Sequence, residues 1–366
     1  MKIIFFLNSL NQQRCYKRIR EFAANGYDTE AYGFCRDGKT VPMTDNMHIT
    51  PLATLHDNTP YRQRLTIMRK SMKNILNQYK NNKQIIFYYF QLDIAIAATS
   101  ITKHTYIYEQ SDLSQAYIKN TIIRNTLNII DRHIIKHSAL TIFTSAGFAH
   151  FHFPNNVPDN IIIIPNKLDP KITSFPYSPQ SIDFQHIRFS YIGVIRHQAT
   201  YNFAKVITQH FPQHEIHLYG IIRPEWGHDI LNNKTDNLFI HTTFTNPDDL
   251  PEIYQNTDIL LSPSDNNNLN GIYSETNKLY EGIYFRKPII ANTGTHTAQI
   301  IKQQGIGYEL DFNSQEAIRQ FISHITPDQI QNIITNLNNI PQTEALNNNP
   351  ELFMKIRQLD NQLNTL

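Results

Sequence analysis

The chain of 366 residues has two cysteines, Cys15 and Cys35, and neither stands at a metal-ligand spacing. So few thiols in so long a chain argue against a disulfide framework or a cysteine-based zinc site, and free thiols in a reducing cytoplasm are expected. Glycine is scarce, with 12 residues in all. The loop from Asn8 to Gln13 has none, and Gly193-Val194-Ile195-Arg196-His197-Gln198 has one. Neither GxGxxG nor GxxxxGK[ST] occurs, so NAD or ATP binding by those routes is not expected. There is no DxD motif to suggest a divalent metal site. Long apolar runs are missing as well. The longest aliphatic stretch, Ile161 to Ile164, falls far short of the roughly 20 residues a bilayer span needs. Met1–Leu7 is apolar but meets Asn8 and Ser9 at once, and reads as a buried strand rather than an export signal. These absences point to a cytoplasmic protein, at most peripheral at the inner face of a membrane. A nucleic-acid partner is not expected either, since no reader motif occurs and a pI near 8.3 is modest.

What is present suits two α/β domains. Hydrophobic residues make up 40%, with 21 Phe and 19 Tyr, enough for two buried cores. Short apolar runs alternate with amphipathic stretches, as in parallel sheets. Strands are expected at Lys2–Leu7, Thr29–Phe34, Ile85–Tyr89, Thr105–Tyr108, Leu140–Thr144 and Ile161–Ile164. A second series follows at Ile187–Ile192, Glu215–Tyr219, Leu238–Thr242, Ile259–Ser262, Pro288–Ala291 and Tyr308–Leu310. Helices are expected over about Arg14–Asn25, Tyr61–Lys80, Ser114–His137, from about Tyr201, and over Pro251–Asn256, Asn277–Phe285, Pro327–Leu337 and Pro350–Leu363. The division expected is residues 1–170, a linker at 171–186, a second domain at 187–345, and a helical segment at 346–366 that packs back on the first domain.

Charge is uneven. Residues 1–170 hold 20 of the 33 basic and 12 of the 31 acidic side chains, which leaves that part at +8 and the rest at −6. The segment from Tyr61 to Lys73 is basic and partly amphipathic. Such a helix can lie on anionic lipid or simply present a solvated face.

The densest chemistry lies in Ser274-Glu275-Thr276-Asn277-Lys278-Leu279-Tyr280-Glu281-Gly282, followed by Arg286-Lys287-Pro288. Residues three apart share a helix face, so Lys278 and Glu281 can act on one ligand. Lysine holds a phosphate as a point charge and a carboxylate accepts hydrogen bonds from a sugar diol. Arg196 and Arg223 each follow a strand of the second series, where a guanidinium can clamp a diphosphate.

These motifs resemble the donor-binding domain of GT-B glycosyltransferases, family 4 and its capsule and lipopolysaccharide relatives above all. The likeness rests on three stretches in order: Phe189 to Arg196 with Gly193 and Arg196, Leu250 to Pro263 with Asp258, and Lys278 to Pro288. The first half resembles the acceptor domain at Gln13 to Ile19, Tyr108 to Leu113, Thr144 to Phe148 and Ile164 to Asn166. The resemblance implies two Rossmann-like domains facing an interdomain cleft. Glu281 would bind donor ribose hydroxyls, and Arg196 and Lys278 would neutralise the diphosphate leaving group. No cofactor or metal is implied. In the family's usual pair, two glutamates are separated by seven residues. Tyr273 occupies the earlier position here, and Glu275, two residues off that register, is the candidate for the sugar-facing carboxylate.

On the acceptor side, Asn8 and Arg14 frame the first loop. Glu109 and Asp112 are candidates to orient or deprotonate a hydroxyl, Asp112 alternatively being a helix N-cap. Asp93 and His104 are further candidates. The expected function is transfer of a hexosyl or N-acetylhexosaminyl group, with retention, from a nucleotide-diphosphate sugar to a glycan or lipid-linked acceptor in surface polysaccharide assembly. A sugar-nucleotide epimerase and a non-catalytic nucleotide-sugar-binding protein are the alternatives.

Overall fold

The computed structural model describes residues 1–36, 49–56, 58–223, 235–241 and 243–364. It divides into two compact units, Met1–Pro165 with Asn349–Leu366, and Asn166–Asn348.

In the first unit seven parallel strands run in the order β3-β2-β1-β4-β5-β6-β7. They are β1 (Lys2–Leu7), β2 (Asp28–Arg36), β3 (Ile49–Leu55), β4 (Ile85–Phe90), β5 (Tyr106–Gln110), β6 (Leu140–Phe143) and β7 (Ile161–Ile163). β1 and β4 lie at the centre, and every residue of Ile85–Phe90 is buried. Their near-continuous apolar runs are what strands covered on both faces require. β3 has no counterpart among the sequence expectations because Pro51 interrupts it. It is the edge strand, where a residue without an N–H is tolerated.

The helices are α1 (Gln13–Ala24), α2 (Tyr61–Tyr79), α3 (Leu92–Thr99), α4 (Thr121–His137) and α5 (Ala146–His152). α2 turns Met68, Met72 and Leu76 inward, one stripe at a spacing of four. α2 packs on α3 and α3 on α4. The single helix expected over Ser114–His137 is broken. A 3-10 turn covers Ser114–Tyr117, and α4 starts afresh where the Asn120 side chain accepts from the N–H groups of Ile122 and Ile123.

The second unit holds a six-stranded parallel sheet in the order β10-β9-β8-β11-β12-β13. Its strands are β8 (Arg188–Ile192), β9 (Glu215–Tyr219), β10 (Leu238–His241), β11 (Ile259–Ser262), β12 (Ile289–Asn292) and β13 (Gly307–Leu310). The described helices are α6 (Gln198–His210), α7 (Leu250–Gln255), α8 (Leu269–Tyr273), α9 (Asn277–Phe285), α10 (His296–Gln304), α11 (Gln315–His324) and α12 (Pro327–Asn339). At the amino edge of this sheet, Asp258 accepts from Arg188 Nε at 3.0 Å and from Nη2 at 2.8 Å, stapling the starts of β8 and β11.

Two boundaries differ from the sequence reading. Residues 171–186 are not a free linker, because Ile172 is buried in the second unit's core and the Tyr177 hydroxyl donates to the Phe285 carbonyl at 2.8 Å. The first boundary therefore falls at Pro165. The second falls at Asn349, after which α13 (Pro350–Asn364) belongs to the first unit. Leu352, Phe353 and Ile356 of α13 join the first unit's core, where the Phe353 ring meets Phe22 edge-on at 5.3 Å. No described helix is long and apolar enough to cross a membrane.

Candidate functional site

Parallel sheets of this kind offer ligands the carboxyl edge, above all where the strand order reverses and neighbouring loops diverge. In the second unit that reversal lies between β8 and β11. Gly193 closes β8 with φ +138° and Gly220 closes β9 with φ +125°. A Cβ on Gly220 would lie 2.2 Å from the Gly193 carbonyl oxygen, so only glycine lets the two loops pass so closely. Beyond them Ile195 bridges to Ile222, and the Arg223 N–H donates to the Ile195 carbonyl at 3.0 Å. Arg196 and Arg223 thus leave adjacent loops with exposed side chains.

His197 and Asp265 were not singled out from the sequence. His197 Nδ1 lies 3.0 Å from Asp265 Oδ2, joining the loop after β8 to the loop after β11. Arg196 Nε reaches His197 Nε2 at 3.4 Å. Gly271 of α8 holds the second loop in place, since a Cβ there would lie 1.7 Å from the Asp265 carbonyl oxygen. No motif joins His197 to Asp265, and only the strand order brings them together.

α9 carries the Lys278–Glu281 pair as its spacing implies. Lys278 Nζ donates to Glu281 Oε2 at 2.8 Å, and the Tyr254 hydroxyl donates to the same oxygen. Glu281 is 3% exposed. Its Oε1 takes no protein donor among the described residues. A buried carboxylate with one engaged and one open oxygen can accept from a ligand hydroxyl. Burial pushes the neighbouring Tyr191 phenol up to about 12, with Arg196 opposing and Asp265 and Glu281 adding to the shift. These three charged groups therefore all lie within electrostatic reach of that phenol. The start of α9 is tied down by Ser262 Oγ to Thr276 Oγ1 at 2.8 Å, and by the Thr276 N–H to Thr297 Oγ1 at 3.2 Å. Two helix N-termini, of α9 and α10, meet at this edge, an arrangement suited to phosphate.

Glu275 lies in the segment between α8 and α9. It accepts from the Tyr280 hydroxyl, and its Oε2 is 3.9 Å from His296 Nε2 at the start of α10. It therefore sits one helix start away from the Lys278–Glu281 pair, held by a tyrosine.

In the first unit the strand order reverses between β1 and β4. The β1–β4 register ends at Phe6 and Tyr89, and Asn8 and Gln91 each stand two residues beyond it at the carboxyl edge. Gln91 is a third residue missed from the sequence. Its φ of 75° and ψ of 157° are unusual for any side chain but glycine. Its Nε2 donates to Ser111 Oγ and, at 3.3 Å, to Asp112 Oδ2. Both Gln91 Oε1 and Asn8 Oδ1 are buried without a hydrogen-bond partner. Arg36 completes the edge, with Nε donating to the Asn8 carbonyl at 3.2 Å and Nη2 lying 3.7 Å from Asp93 Oδ2. Burial raises the Asp93 carboxyl above its usual range, with Arg36 pulling the other way.

Gln91→Gly tests whether this strain serves a ligand. Releasing a positive φ should raise stability or leave it unchanged, by at most about 1–3 kcal/mol. A ligand held at this edge should then bind more weakly, while binding at the carboxyl edge of the second unit stays as in the wild type. A loss of stability would show that Gln91 is held for the fold alone.

Glu109 is corrected by the structure. It is fully buried. Its Oε2 accepts from Arg18 Nε at 3.0 Å and from the Tyr88 hydroxyl, and Arg14 Nε lies 3.4 Å from Oε1. Burial alone would raise its pKa, but Arg18 and Arg14 outweigh it and hold the carboxyl below the ordinary value. A carboxylate sealed behind two guanidiniums, which favour its ionised form, is an anchor rather than a proton acceptor for a substrate. Arg14 is correspondingly turned inward to Glu109. His104 is also structural. It precedes β5, at the amino edge of the sheet, with Nε2 2.9 Å from the Asn82 carbonyl and its ring edge-on to Phe87. Asp112 remains at the carboxyl edge beside Gln91. Cys15 and Cys35 are both buried free thiols. Among the described residues no group of three or more His, Cys, Asp or Glu is arranged to hold a metal ion.

Two parallel Rossmann-like units, each with its polar cluster at the carboxyl edge of a strand-order reversal, define the GT-B glycosyltransferase fold. No family model matches the sequence, and no curated protein matches it in sequence. Solved structures do match in fold. The sucrose-phosphate synthase of Thermosynechococcus elongatus superimposes with a TM-score of 0.73 at 13% identity over 100% of both chains. HepE of Anabaena, solved in complex with UDP and glucose, gives 0.66 at 11% identity, again over 100% of both chains. The lipopolysaccharide outer core galactosyltransferase WaaB gives 0.58 at 14% identity over 93% of this chain and 98% of its own.

Proposed function

We propose that this chain is a glycosyltransferase that takes a sugar from a nucleoside diphosphate. The observation that carries the reading is the buried Glu281, whose Oε2 is engaged by Lys278 and Tyr254 and whose Oε1 faces no protein donor among the described residues. Oε1 accepts from a ribose hydroxyl. Arg196, with Lys278 beside it, balances the diphosphate as charge develops on the leaving group. Arg223 adds a second guanidinium from the neighbouring loop. Glu275 stands ready for the transferred sugar. UDP and glucose bound to HepE, a protein of the same fold, support a nucleotide-sugar donor.

The acceptor is a glycan or lipid-linked hydroxyl, held at the carboxyl edge of the first unit by Asn8, Gln91 and Asp112. The transferred group is a hexose or N-acetylhexosamine, the anomeric configuration is retained, and no metal is required. WaaB, a lipopolysaccharide galactosyltransferase of the same fold, supports a role in bacterial capsule or lipopolysaccharide assembly. In this reading the protein works in the cytoplasm with peripheral contact to the membrane.

A thermal-shift series against UDP-, GDP- and dTDP-sugars, with a CMP-sugar as the single-phosphate contrast, tests the donor assignment. A donor at about 100 times its Kd adds roughly 2.7 kcal/mol, or several degrees in Tm for a unit of this size. One nucleotide class should stabilise the wild type, and Arg196→Ala should blunt the response. Stabilisation by none of the three diphosphate sugars, or an equal response from the variant, removes the assignment. Incubation with donor alone separates transfer from epimerisation, since only an epimerase converts the donor without an acceptor.

A further inference from the structure

The uneven charge of the chain has a structural counterpart on one face of the first unit. Between Asp57 and Asp159 the sequence carries twelve Lys and Arg and four carboxylates. Asp93, Glu109 and Asp131 are buried and Asp112 is half-buried, so this stretch shows solvent almost only cations. Arg69, Lys70 and Lys73 of α2 line a groove against Ser100 and Ile101 at the end of α3. Neither these three nor Lys119, just before α4, and Arg124, in its first turn, pair with a carboxylate among the described residues.

α2 has no exposed large apolar side chain, because its methionines and Leu76 face inward. The apolar component lies on α4, two helices along the same row. Ile122 is 78% exposed, Ile129 68%, Ile123 50%, and Tyr117 in the preceding turn 60%. Ile122 and Ile129 are seven residues apart and share one stripe. A cluster of large apolar side chains, rimmed by cations, is the composition of a surface that lies in a lipid interface.

We propose that the α4 face, with Tyr117, Ile122, Ile123 and Ile129 inserted and the cations of α2 and α4 around them, docks on an anionic lipid bilayer. The apolar side chains enter the headgroup boundary, and Arg69, Lys70, Lys73, Lys119 and Arg124 meet lipid phosphates. A nucleic acid would use the cations but not the isoleucines. A second copy of this chain would bring the same cations against one another. The inference deepens the lipid-linked acceptor of the proposed function and rests on it for why a membrane is approached. It moves the contact from α2 alone, where the sequence suggested it, to α4 with α2 beside it.

Vesicle co-sedimentation of the full chain tests it without donor or acceptor, so its outcome is independent of the transfer reading. The wild type should bind equimolar phosphatidylcholine–phosphatidylglycerol vesicles and not phosphatidylcholine alone, with binding weakened by salt. Ile122→Ser with Ile129→Ser should weaken binding about tenfold or more, and each cation reversed on α2 about fivefold or more. Both positions are exposed, so the variants should keep the wild-type Tm. Three results would each overturn the proposal: no binding to the anionic vesicles, binding unchanged in the isoleucine variant, or a wild-type dimer that the isoleucine variant turns into a monomer.

Discussion

Glu109→Gln should cost on the order of 3–5 kcal/mol of stability, because it takes from the buried Arg18 the carboxylate that its Nε bonds. Arg18 is 4% exposed and its Nε bonds directly to Glu109. Arg18 also holds Glu21 through Nη1 at 2.5 Å, so part of its charge stays compensated, which favours the lower end of that range. Against a typical total of about 5–15 kcal/mol, the loss should show as a large fall in Tm and in the denaturant midpoint. The pH dependence supplies an independent check. The folded carboxyl lies below its ordinary value, the net of burial raising it and Arg18 and Arg14 lowering it further. Its stabilisation is therefore complete above the unfolded carboxylate pKa and is lost as pH falls through the folded value. The glutamine variant should lack that segment of the acid-unfolding curve. If Glu109→Gln instead folds with wild-type stability and loses only turnover, Glu109 is the catalytic carboxylate the sequence suggested and the anchoring role is wrong.

Glu281→Ala should weaken donor binding by about 10- to 150-fold. A hydrogen bond to a charged acceptor contributes roughly 1.5–3 kcal/mol, and the one made by Oε1 is lost. The effect should fall on Kd for the nucleotide as well as for the nucleotide sugar, because the proposed partner is the ribose. Glu281→Gln separates charge from hydrogen bonding. It keeps an acceptor for the ribose but releases Lys278 from its 2.8 Å pairing, so it should recover part of the affinity. Isothermal titration with the nucleotide alone reads both variants. Equal affinity in wild type and Glu281→Ala would remove Glu281 from the donor site. Tyr254 loses its acceptor in the alanine variant, so a modest fall in Tm is expected alongside.

The central strands were legible because parallel strands covered on both faces need continuous apolar runs, and Lys2–Leu7, Glu215–Tyr219 and Ile259–Ser262 have the bounds the sequence suggested. α9 was legible to the residue. Elements that defy simple patterning were not. β3 carries a proline that only an edge strand tolerates, and α3 is apolar on nearly every side, so it shows no helical stripe. The Lys278–Glu281 contact followed from spacing along one helix. The His197–Asp265 pair and the position of Gln91 did not, because both depend on which strands end up adjacent. Glu109 was misread because a carboxylate at a strand end looks the same in sequence whether it faces solvent or two buried arginines. Arg18 was the available signal, since an arginine on the apolar stripe of α1 needs a buried partner.

The return of α13 to the first unit has a consequence for how the protein is made. The aromatic surface formed by Phe22 and Tyr27 is covered by Phe353, whose codon is read long after those of the strands beneath it. A ribosome adding roughly 5–20 residues per second needs on the order of 10–40 s to pass from Pro165 to Asn349. For that interval the first sheet is synthesised but one of its faces is incomplete, while the second unit, whose residues are continuous in the chain, emerges whole. The half that begins first is thus finished last, and the nascent chain carries an uncovered aromatic face that chaperones can bind until α13 arrives.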